Sequence, residues 1–340
     1  MKQERIIVIG ASAGGVGALL NMMPLLSSNL AAPVVIVLHI GPYRSLLPDL
    51  LNARGPNHAV FARPAMVPRP GVIYVAPPDQ HLLLEKNQFV LTRGPKEHHA
   101  RPAINPLFRS VALDKGARVI GIVLTGMLDD GAAGLQAIKT CGGTTMVQDP
   151  DEALEPSMPL NAIAGVSVDY ILRIDAMADM INTLAQPLET VTPNTVPEWL
   201  TIEHAVTLGA GMAQLGRVGT PSRFTCPDCG GCLFEITQGK PLRFLCHTGH
   251  AFSLLSLAAL QNDAAENSMW VALRALQEKE AILRRLAEAQ AGNNIFASTQ
   301  TLTEADELAE FIGQMRNMVG KNSEIGSAEV ADDNTASPSR

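Results

Sequence analysis

The stretch RIIVIGASAGGVGALL, residues 5–20, joins an apolar β-branched run to a glycine-rich turn and then to a segment of helical periodicity. A buried strand that leads through such a turn into a helix is the repeating unit of open α/β sheets. More apolar runs follow up to about residue 185, and several are apolar on both faces, as central parallel strands are. These runs are PVVIVLHI, VIYVA, HLLLE, QFVLT, RVIGIVLTG, TTMVQ and VDYIL. We predict an α/β fold with a doubly wound, mainly parallel sheet, to which HLLLE and QFVLT add an antiparallel hairpin.

The chain of 340 residues has room for one sizeable core and a smaller module, at about 150 residues per domain. Periodicity fails over 186–199, where three prolines occur, and this predicts a boundary near residue 187. The predicted parts are a first domain over 1–187, a linker over 188–221, a cysteine-bearing hairpin over 222–252, a helical region over 253–320 and a disordered tail over 321–340.

The composition is that of a packed globular protein, with 46% apolar and 17% charged residues. A formal net charge of -7 provides no broad field for phosphate backbones, so we expect no nucleic-acid partner. The N-terminus has no signal-peptide pattern, and no run approaches the roughly 20 apolar residues that span a bilayer. We expect a cytoplasmic protein without membrane insertion.

Gly10-Ala11-Ser12-Ala13-Gly14 lies between a strand and a helix, which is the position that a nucleophile elbow requires. The N–H of Ala13, at the start of the helix, is a natural oxyanion donor. The alternative is a dinucleotide-binding turn, in which Ser12 would be only a loop residue. That turn needs G-x-G-x-x-G, and Ser12 occupies the place of its second glycine.

Two further residue types needed for acyl transfer follow other predicted strands. His39 ends the run PVVIVLH and should emerge beside Ser12 at the carboxyl edge of the sheet, where it can act as base. Asp129 and Asp130 follow RVIGIVLTG, and a carboxylate there would orient the imidazole. Position alone does not choose between the two aspartates. The alternative is that the histidine is structural and the aspartates are turn or capping residues.

Seven segments resemble, in order, the chemotaxis protein-glutamate methylesterases of the CheB type. They are GASAGG, VVIVLHI, GVIYVAPPDQHLLL, ARPAINPLFRS, VLTGMLDDGAAG, VQDP and Ser157-Met158-Pro159. The resemblance covers about residues 4–185. It implies a catalytic triad of Ser12, His39 and Asp130, and so selects Asp130 over its neighbour. It also suggests the N–H of Met127 as a second oxyanion donor.

The resemblance implies hydrolysis of glutamate γ-methyl esters on a methylated chemoreceptor-like protein, through an acyl-serine and without a catalytic cofactor. Alternatives are a protein-glutamine deamidase with the same triad and a non-catalytic signalling adaptor. Three departures from the family pattern stand out. Leu128 replaces a glycine of the LTGMG turn, Asn105 replaces the acid of RPSVD, and only four residues precede the first strand, which leaves no room for a receiver domain.

The C-terminal part carries four of the five cysteines, arranged as Cys226-Pro-Asp-Cys229, Cys232 and Cys246-His-Thr-Gly-His250. Thiolates and imidazole at this spacing are typical of a structural zinc site. We predict Cys226, Cys229, Cys246 and His250 as ligands, with Cys232 or His247 as substitutes; free thiols are the alternative. The helices that follow carry an apolar stripe that includes Leu273, Leu276 and Leu283, which favours core packing, with a signalling partner as the second interpretation.

Overall fold

The computed structural model describes residues 3–41, 43–190, 195–209, 212–292 and 294–328. The chain divides into two compact units, Met1–Ala258 and Ala259–Arg340. The first unit therefore extends well past the predicted boundary near residue 187 and includes the cysteine-bearing segment.

The first unit is built on a seven-stranded, wholly parallel sheet with the order β3-β4-β2-β1-β7-β8-β9. Its strands are β1 (Ile6–Ala11), β2 (Val34–Leu38), β3 (His58–Phe61), β4 (Val72–Val75), β7 (Val119–Val123), β8 (Thr144–Gln148) and β9 (Tyr170–Leu172). The predicted doubly wound sheet is confirmed. The edge strand β3 was not among the predicted strands.

Helices cover both faces of the sheet, and the strands alternate their side chains between two cores. Ile6 and Val8 of β1 face one core, whereas Ile7 and Ile9 face the other. The helices of this part are α1 (Gly15–Met22), α2 (Leu47–Asn52), α3 (Ile104–Lys115), α4 (Ala132–Thr140), α5 (Ser157–Gly165) and α6 (Ile174–Leu184). Burial on both faces explains why the central strands are continuously apolar.

The predicted hairpin forms, but it is not part of the main sheet. Strands β5 (His81–Glu85) and β6 (Gln88–Thr92) pair only with each other, as a separate two-stranded sheet. Strand β5 lies against α3, where the Leu84 N–H donates to Ser110 Oγ (3.0 Å). The prediction that the hairpin extends the sheet was wrong, because its apolar residues pack on a helix instead.

The predicted linker over 188–221 contains two helices, α7 (Glu198–Thr207) and α8 (Met212–Leu215). Leu200 and Val206 of α7 are buried in the same core as the main sheet. The prolines that suggested a linker precede this helix, and its apolar residues, which pack against α3, make it part of the first unit.

The cysteine-bearing segment forms a four-stranded antiparallel sheet and not a simple hairpin. Its strands are β10 (Gly219–Thr225), β11 (Cys232–Ile236), β12 (Arg243–Cys246) and β13 (Ala251–Ser253). We call residues 198–253, from α7 to β13, the C-terminal module.

The second unit consists mainly of two long helices, α9 (Leu254–Gln290) and α10 (Ile295–Ala328). Ion pairs Lys279–Glu304 (3.0 Å) and Arg284–Asp306 (3.0 Å) join them. Leu273, from the predicted apolar stripe, is buried. Helix α10 extends into the predicted disordered tail, of which residues 329–340 lie outside the described residues. No described helix has the length and apolar character needed to cross a membrane.

Candidate active site

Ser12 directly follows β1, at the carboxyl edge of the sheet. Its N–H donates to Thr125 O (3.0 Å), which ties it to the end of β7. Gly14 then adopts a left-handed φ of 77°, and α1 begins at Gly15. A strand that turns within three residues into a helix presents the Ser12 hydroxyl above the sheet, as the sequence predicted.

Gly126 allows the turn after β7 to approach Ser12 closely. A Cβ added to Gly126 would lie 2.8 Å from Ser12 Cβ and 2.2 Å from Met158 Sδ. Neither distance is compatible with a side chain at this position. The glycine of the LTGM run is therefore required by packing against the nucleophile, a role that the sequence pattern alone did not indicate.

His39 follows β2, the neighbour of β1, and lies between Ser12 and Asp130. Its N–H donates to Ala11 O (3.0 Å). Its ring presents Nδ1 to Ser12 Oγ at 3.2 Å and Nε2 to Asp130 Oδ2 at 2.7 Å. A carboxylate only accepts hydrogen bonds, so the ring proton lies on Nε2 and Nδ1 is free to accept from the serine hydroxyl.

Asp130 is buried and its carboxylate is surrounded by donors. The backbone amides of Ile104 (2.7 Å), Asn105 (3.1 Å) and Gly131 (2.9 Å) donate to it, in addition to His39. Burial would raise the pKa of this carboxyl, but the hydrogen bonds from His39 and from the Ile104 amide outweigh it and hold the pKa well below its usual value. Asp130 is thus a fixed anion against which an imidazolium can form.

The adjacent Asp129 points elsewhere. Its carboxylate accepts a hydrogen bond from Ser253 Oγ (2.7 Å), and its side chain is also buried. Of the two aspartates between which position could not choose, Asp130 is the one in contact with His39.

The turn that carries Asp130 is held by Asn105, whose side chain the sequence analysis noted only as a departure from the family pattern. Asn105 Oδ1 accepts from the N–H groups of Gly131 (3.1 Å) and Gly134 (2.7 Å) at the start of α4. An amide oxygen satisfies these donors as a carboxylate would, and without adding a second negative charge beside Asp130. Leu128 adopts a left-handed φ of 62°, a backbone conformation that favours glycine.

The two predicted oxyanion donors lie in the turns that flank the nucleophile. Gly15 N–H donates to Ser12 O (2.9 Å), which fixes the peptide that carries the Ala13 N–H. Thr125 Oγ1 donates to Ala13 O (3.0 Å) and accepts from Glu155 N–H (2.8 Å). Within the described part of the chain, the N–H groups of Ala13 and Met127 have no protein acceptor.

A cleft of about 550 Å³ opens beside His39. Its lining includes Asp79, Lys96, His99 and Arg101. Arg101 donates to Asp79 through Nε (3.0 Å) and Nη2 (2.7 Å), so its position is fixed. These charged and polar side chains make the cleft beside His39 polar.

The four predicted metal ligands lie together, with their ligand atoms within 4.8 Å of one another. Cys229 Sγ is 3.8 Å from Cys246 Sγ, and His250 Nδ1 is 3.7 Å from Cys226 Sγ and 3.5 Å from Cys246 Sγ. Of the two substitutes, Cys232 lies outside this group, with its Sγ near Ser222 O (3.8 Å). The His247 ring lies over Gly231, where an added Cβ would be 2.5 Å from it.

Comparison with known proteins places the first part of the chain in one family. The family model described as CheB methylesterase matches residues 7–181, slightly more than half of the chain. The solved catalytic domain of the Thermotoga maritima CheB methylesterase aligns with a TM-score of 0.52 and 30% sequence identity, and covers 54% of this chain and 99% of that domain.

Two relatives among the curated proteins each match about half of this chain. A Leptospira interrogans protein, provisionally named protein-glutamate methylesterase/protein-glutamine glutaminase, is 38% identical over 186 residues, covering 53% of this chain and 94% of that protein. Protein-glutamate methylesterase/protein-glutamine glutaminase 2 of Methanosarcina mazei is 35% identical over 187 residues, covering 52% of this chain and 51% of that protein. Because the family model matches more than half of the chain, the chain belongs to the CheB methylesterase family.

Proposed function

We propose that this protein is a carboxylic ester hydrolase that removes methyl esters from glutamate side chains of a methylated chemoreceptor-like protein. The observation that carries the proposal is the contact of Ser12, His39 and Asp130 at 3.2 and 2.7 Å in a chain of this family. An ester carbonyl that enters from the cleft beside His39 meets a hydroxyl already paired with its base.

In the first half of the reaction, Ser12 Oγ attacks the γ-carbonyl carbon while its proton passes to His39 Nδ1. The resulting imidazolium is stabilised by the Asp130 carboxylate through Nε2–H. The N–H groups of Ala13 and Met127 are the proposed donors to the tetrahedral oxyanion. Collapse breaks the bond to the methoxy group, which takes the proton from His39 and leaves as methanol.

In the second half, a water molecule gives a proton to His39 Nδ1 and attacks the acyl-serine. Collapse of this intermediate returns the proton to Ser12 Oγ and releases the glutamate carboxylate. His39 therefore acts twice as base and twice as acid. No step needs a metal or an organic cofactor.

A protein-glutamine deamidase is the second candidate, because the names of the relatives join the two activities. The same acyl-serine would form from a glutamine side chain, with ammonia as the leaving group. The two activities share every residue of the triad and differ only in the product released. A non-catalytic adaptor, by contrast, would form no acyl-serine.

The proposal is tested by replacing the nucleophile. Ser12→Ala is expected to reduce methanol release from membranes carrying methylated receptors by roughly 10⁴-fold or more, since triad members act as a unit. Ser27→Ala, at an exposed loop serine, should leave the rate unchanged. Labelling by a fluorophosphonate should also depend on Ser12. Methanol release by Ser12→Ala at the wild-type rate would refute the triad, and ammonia without methanol would favour the deamidase.

We also propose that Cys226, Cys229, Cys246 and His250 hold a structural zinc ion. A tetrahedral site with Zn–S bonds of about 2.3 Å and a Zn–N bond of about 2.0 Å has S···S edges of about 3.8 Å and S···N edges of about 3.5 Å. The separations of 3.8, 3.7 and 3.5 Å between these side chains fit that geometry. The ion would join two ends of a small sheet and stabilise its fold.

A signalling partner on α9 and α10 stays a prediction. Its support is the exposure of apolar side chains on these helices, such as Trp270, Val271 and Ile282. The main proposed partner is the methylated receptor.

A further inference from the structure

The C-terminal module contacts the loop that precedes α3, on the active-site side of the sheet. His98 N–H donates to Ala251 O (2.8 Å) and Ala251 N–H donates to Lys96 O (3.4 Å), so β13 pairs with the chain at residues 96–98. Strand β13 lies beyond the family match, which ends at residue 181. This contact therefore joins a segment outside the family match to residues next to the triad.

Ser253, the last residue of β13, contacts Asp129, the residue that precedes the triad carboxylate in the chain. Its hydroxyl donates to Asp129 Oδ1 at 2.7 Å, and both residues are buried, with exposures of 3% and 7%. Ser253 Oγ also accepts from Ser256 N–H (3.0 Å) and so caps the N-terminus of α9. Among the described residues, Ser253 is the hydrogen-bond donor to the Asp129 carboxylate.

His98 lies between the two aspartates and connects them. Its Nδ1 is 3.5 Å from Asp129 Oδ1, and its Nε2 is 4.0 Å from Asp130 Oδ1. Asn105 Nδ2 is 3.0 Å from the same Nε2. Because Asn105 Oδ1 accepts two backbone N–H groups, Nδ2 is its donor, and the ring accepts at Nε2 and carries its proton on Nδ1, towards Asp129.

A series of polar side chains thus runs from β13 to the triad carboxylate, with a hydrogen bond at each step except the one from Asp129 to His98, whose Nδ1 lies 3.5 Å from the carboxylate and has no hydrogen-bond partner among the described residues. It passes from Ser253 to Asp129, from Asp129 to His98 and from His98 to Asn105. Asn105 completes it, since its backbone N–H donates to Asp130 and its side chain accepts from Gly131, another donor to Asp130. All residues of this series of contacts, from Ser253 to Asp130, lie in the first unit.

We propose that Ser253 is a positioning residue for the ester hydrolysis, which holds Asp129 so that His98 and Asn105 keep the Asp130 carboxylate aligned with His39. This inference rests on the proposed function. Without the Ser253 hydroxyl, the nearest donor to the buried Asp129 carboxylate is His98 Nδ1–H, 3.5 Å away. If the His98 ring moves to close this separation, it moves away from Asn105. Asn105 then shifts away from the backbone amides that face Asp130.

The effect belongs to the chemical step and not to substrate binding. The cleft residues Asp79 and Arg101 hold each other and make no contact with Ser253, Asp129 or the His98 ring among the described hydrogen bonds. A displaced carboxylate would misalign the base at the moment of attack, where an error of about 1 Å costs about 10²-fold in rate. The expected signature is therefore a lower kcat at nearly constant KM.

The experiment compares Ser253→Ala, Ser253→Thr and Ser256→Ala in the full chain, with methanol release measured over a range of methylated-receptor membrane concentrations. Ser253→Ala is expected to lower kcat by about 10- to 100-fold with KM within about twofold of wild type. Ser253→Thr, which keeps the hydroxyl, should restore most of kcat. Ser256→Ala removes a hydroxyl that contacts Ser253 Oγ (3.1 Å) but not Asp129, and should retain most of kcat.

A spectroscopic readout keeps the inference separate from the proposed function. The His39 Nε2–H proton, held against Asp130, should give a downfield ¹H NMR signal that shifts or broadens in Ser253→Ala and returns in Ser253→Thr. Where Ser253→Ala does not fold, Asp129→Asn weakens the attraction for His98 and is expected to move the same signal. If wild type releases no methanol and Ser12 takes no fluorophosphonate, the proposed function fails while the NMR comparison still tests the positioning.

The inference is overturned if Ser253→Ala retains the wild-type kcat and the wild-type downfield signal.

Discussion

At the residue scale, Asp130 combines complete burial with a full set of donors. His39 and three backbone amides face its two oxygens, so the ionised form is favoured in the fold although burial alone opposes it. An unfolded aspartate has no such partners and a pKa of about 3.9. Because the pKa is lower in the folded state, ionised Asp130 stabilises the protein above about pH 4, and that stabilisation declines as the pH falls towards the folded pKa.

Asp130→Asn is therefore expected to destabilise the protein by the same amount at pH 7 and pH 5, and by less at pH 3.5. Below about pH 4 the wild type begins to lose the contribution of the carboxylate, whereas asparagine has no proton to gain. Urea unfolding at pH 7, 5 and 3.5 measures the difference. The exposed Asp151→Asn serves as control, with a small difference at every pH. A gap between Asp130→Asn and wild type that stays constant with pH would contradict the account.

At the scale of single elements, the small sheet β10–β13 depends on few apolar side chains. Leu233, Ile236 and Phe244 are buried, but five of the seven residues in β10 are exposed. A sheet of this size gains stability when its ends are joined by a metal. The four clustered side chains lie at two such ends, one in the turn before β11 and the other at the turn between β12 and β13.

Purified protein is expected to contain about one zinc per chain, and Cys246→Ser should lose it and melt several degrees lower. Cys232→Ser is the matched control, since Cys232 lies in the same sheet outside the cluster and should retain both metal and melting temperature. Metal analysis and circular dichroism provide the two readouts. Loss of zinc in Cys232→Ser but not in Cys246→Ser would show that the ligand set is different.

At the scale of the whole molecule, the C-terminal module shares the core of the α/β sheet. Leu200, Val206 and Leu245 belong to the same buried cluster as Val8 and Leu107. Polar contacts reinforce this junction. Thr207 Oγ1 lies 2.9 Å from Arg109 Nη2 and 3.1 Å from Glu97 Oε1, and so joins the buried Glu97–Arg109 pair.

Truncation tests this shared core. A fragment of residues 1–190 would expose the surface that α7 and β12 cover, and burial of each large apolar side chain contributes about 1.5–3 kcal/mol. We expect its free energy of unfolding to lie several kcal/mol below that of residues 1–258, with greater binding of a hydrophobic dye. Coincident urea unfolding curves for the two fragments would mean that the module does not stabilise the catalytic part.

The sequence predicted the features that depend on short-range order. Ser12 and His39 each follow the end of a predicted strand. This was sufficient to place both at one edge of a parallel sheet, because the residues that follow parallel strands lie at the same edge. Position could not separate Asp129 from Asp130, since both belong to one turn. The family resemblance selected Asp130, the aspartate that contacts His39.

Features that depend on distant contacts were not predictable in this way. Ser253 contacts Asp129 across 124 positions of sequence, and no local pattern connects the two residues. Helix α7 follows prolines that signal a linker, and only its burial against α3 shows that it belongs to the first unit. The hairpin of β5 and β6 was predictable as a hairpin, but its packing partner, the surface of helix α3, was not.

The main-chain hydrogen bonds at the carboxyl edge of the sheet also hold the backbone of Ser12 and His39 in place. The amide of Ser12 is bonded to Thr125 and that of His39 to Ala11, as extensions of the strand pairing. Fluctuations that break either of these hydrogen bonds must therefore also open the pairing between neighbouring strands. Hydrogen exchange at these two amides is therefore expected to be slow, because it requires opening of the strand pairing at the centre of the sheet.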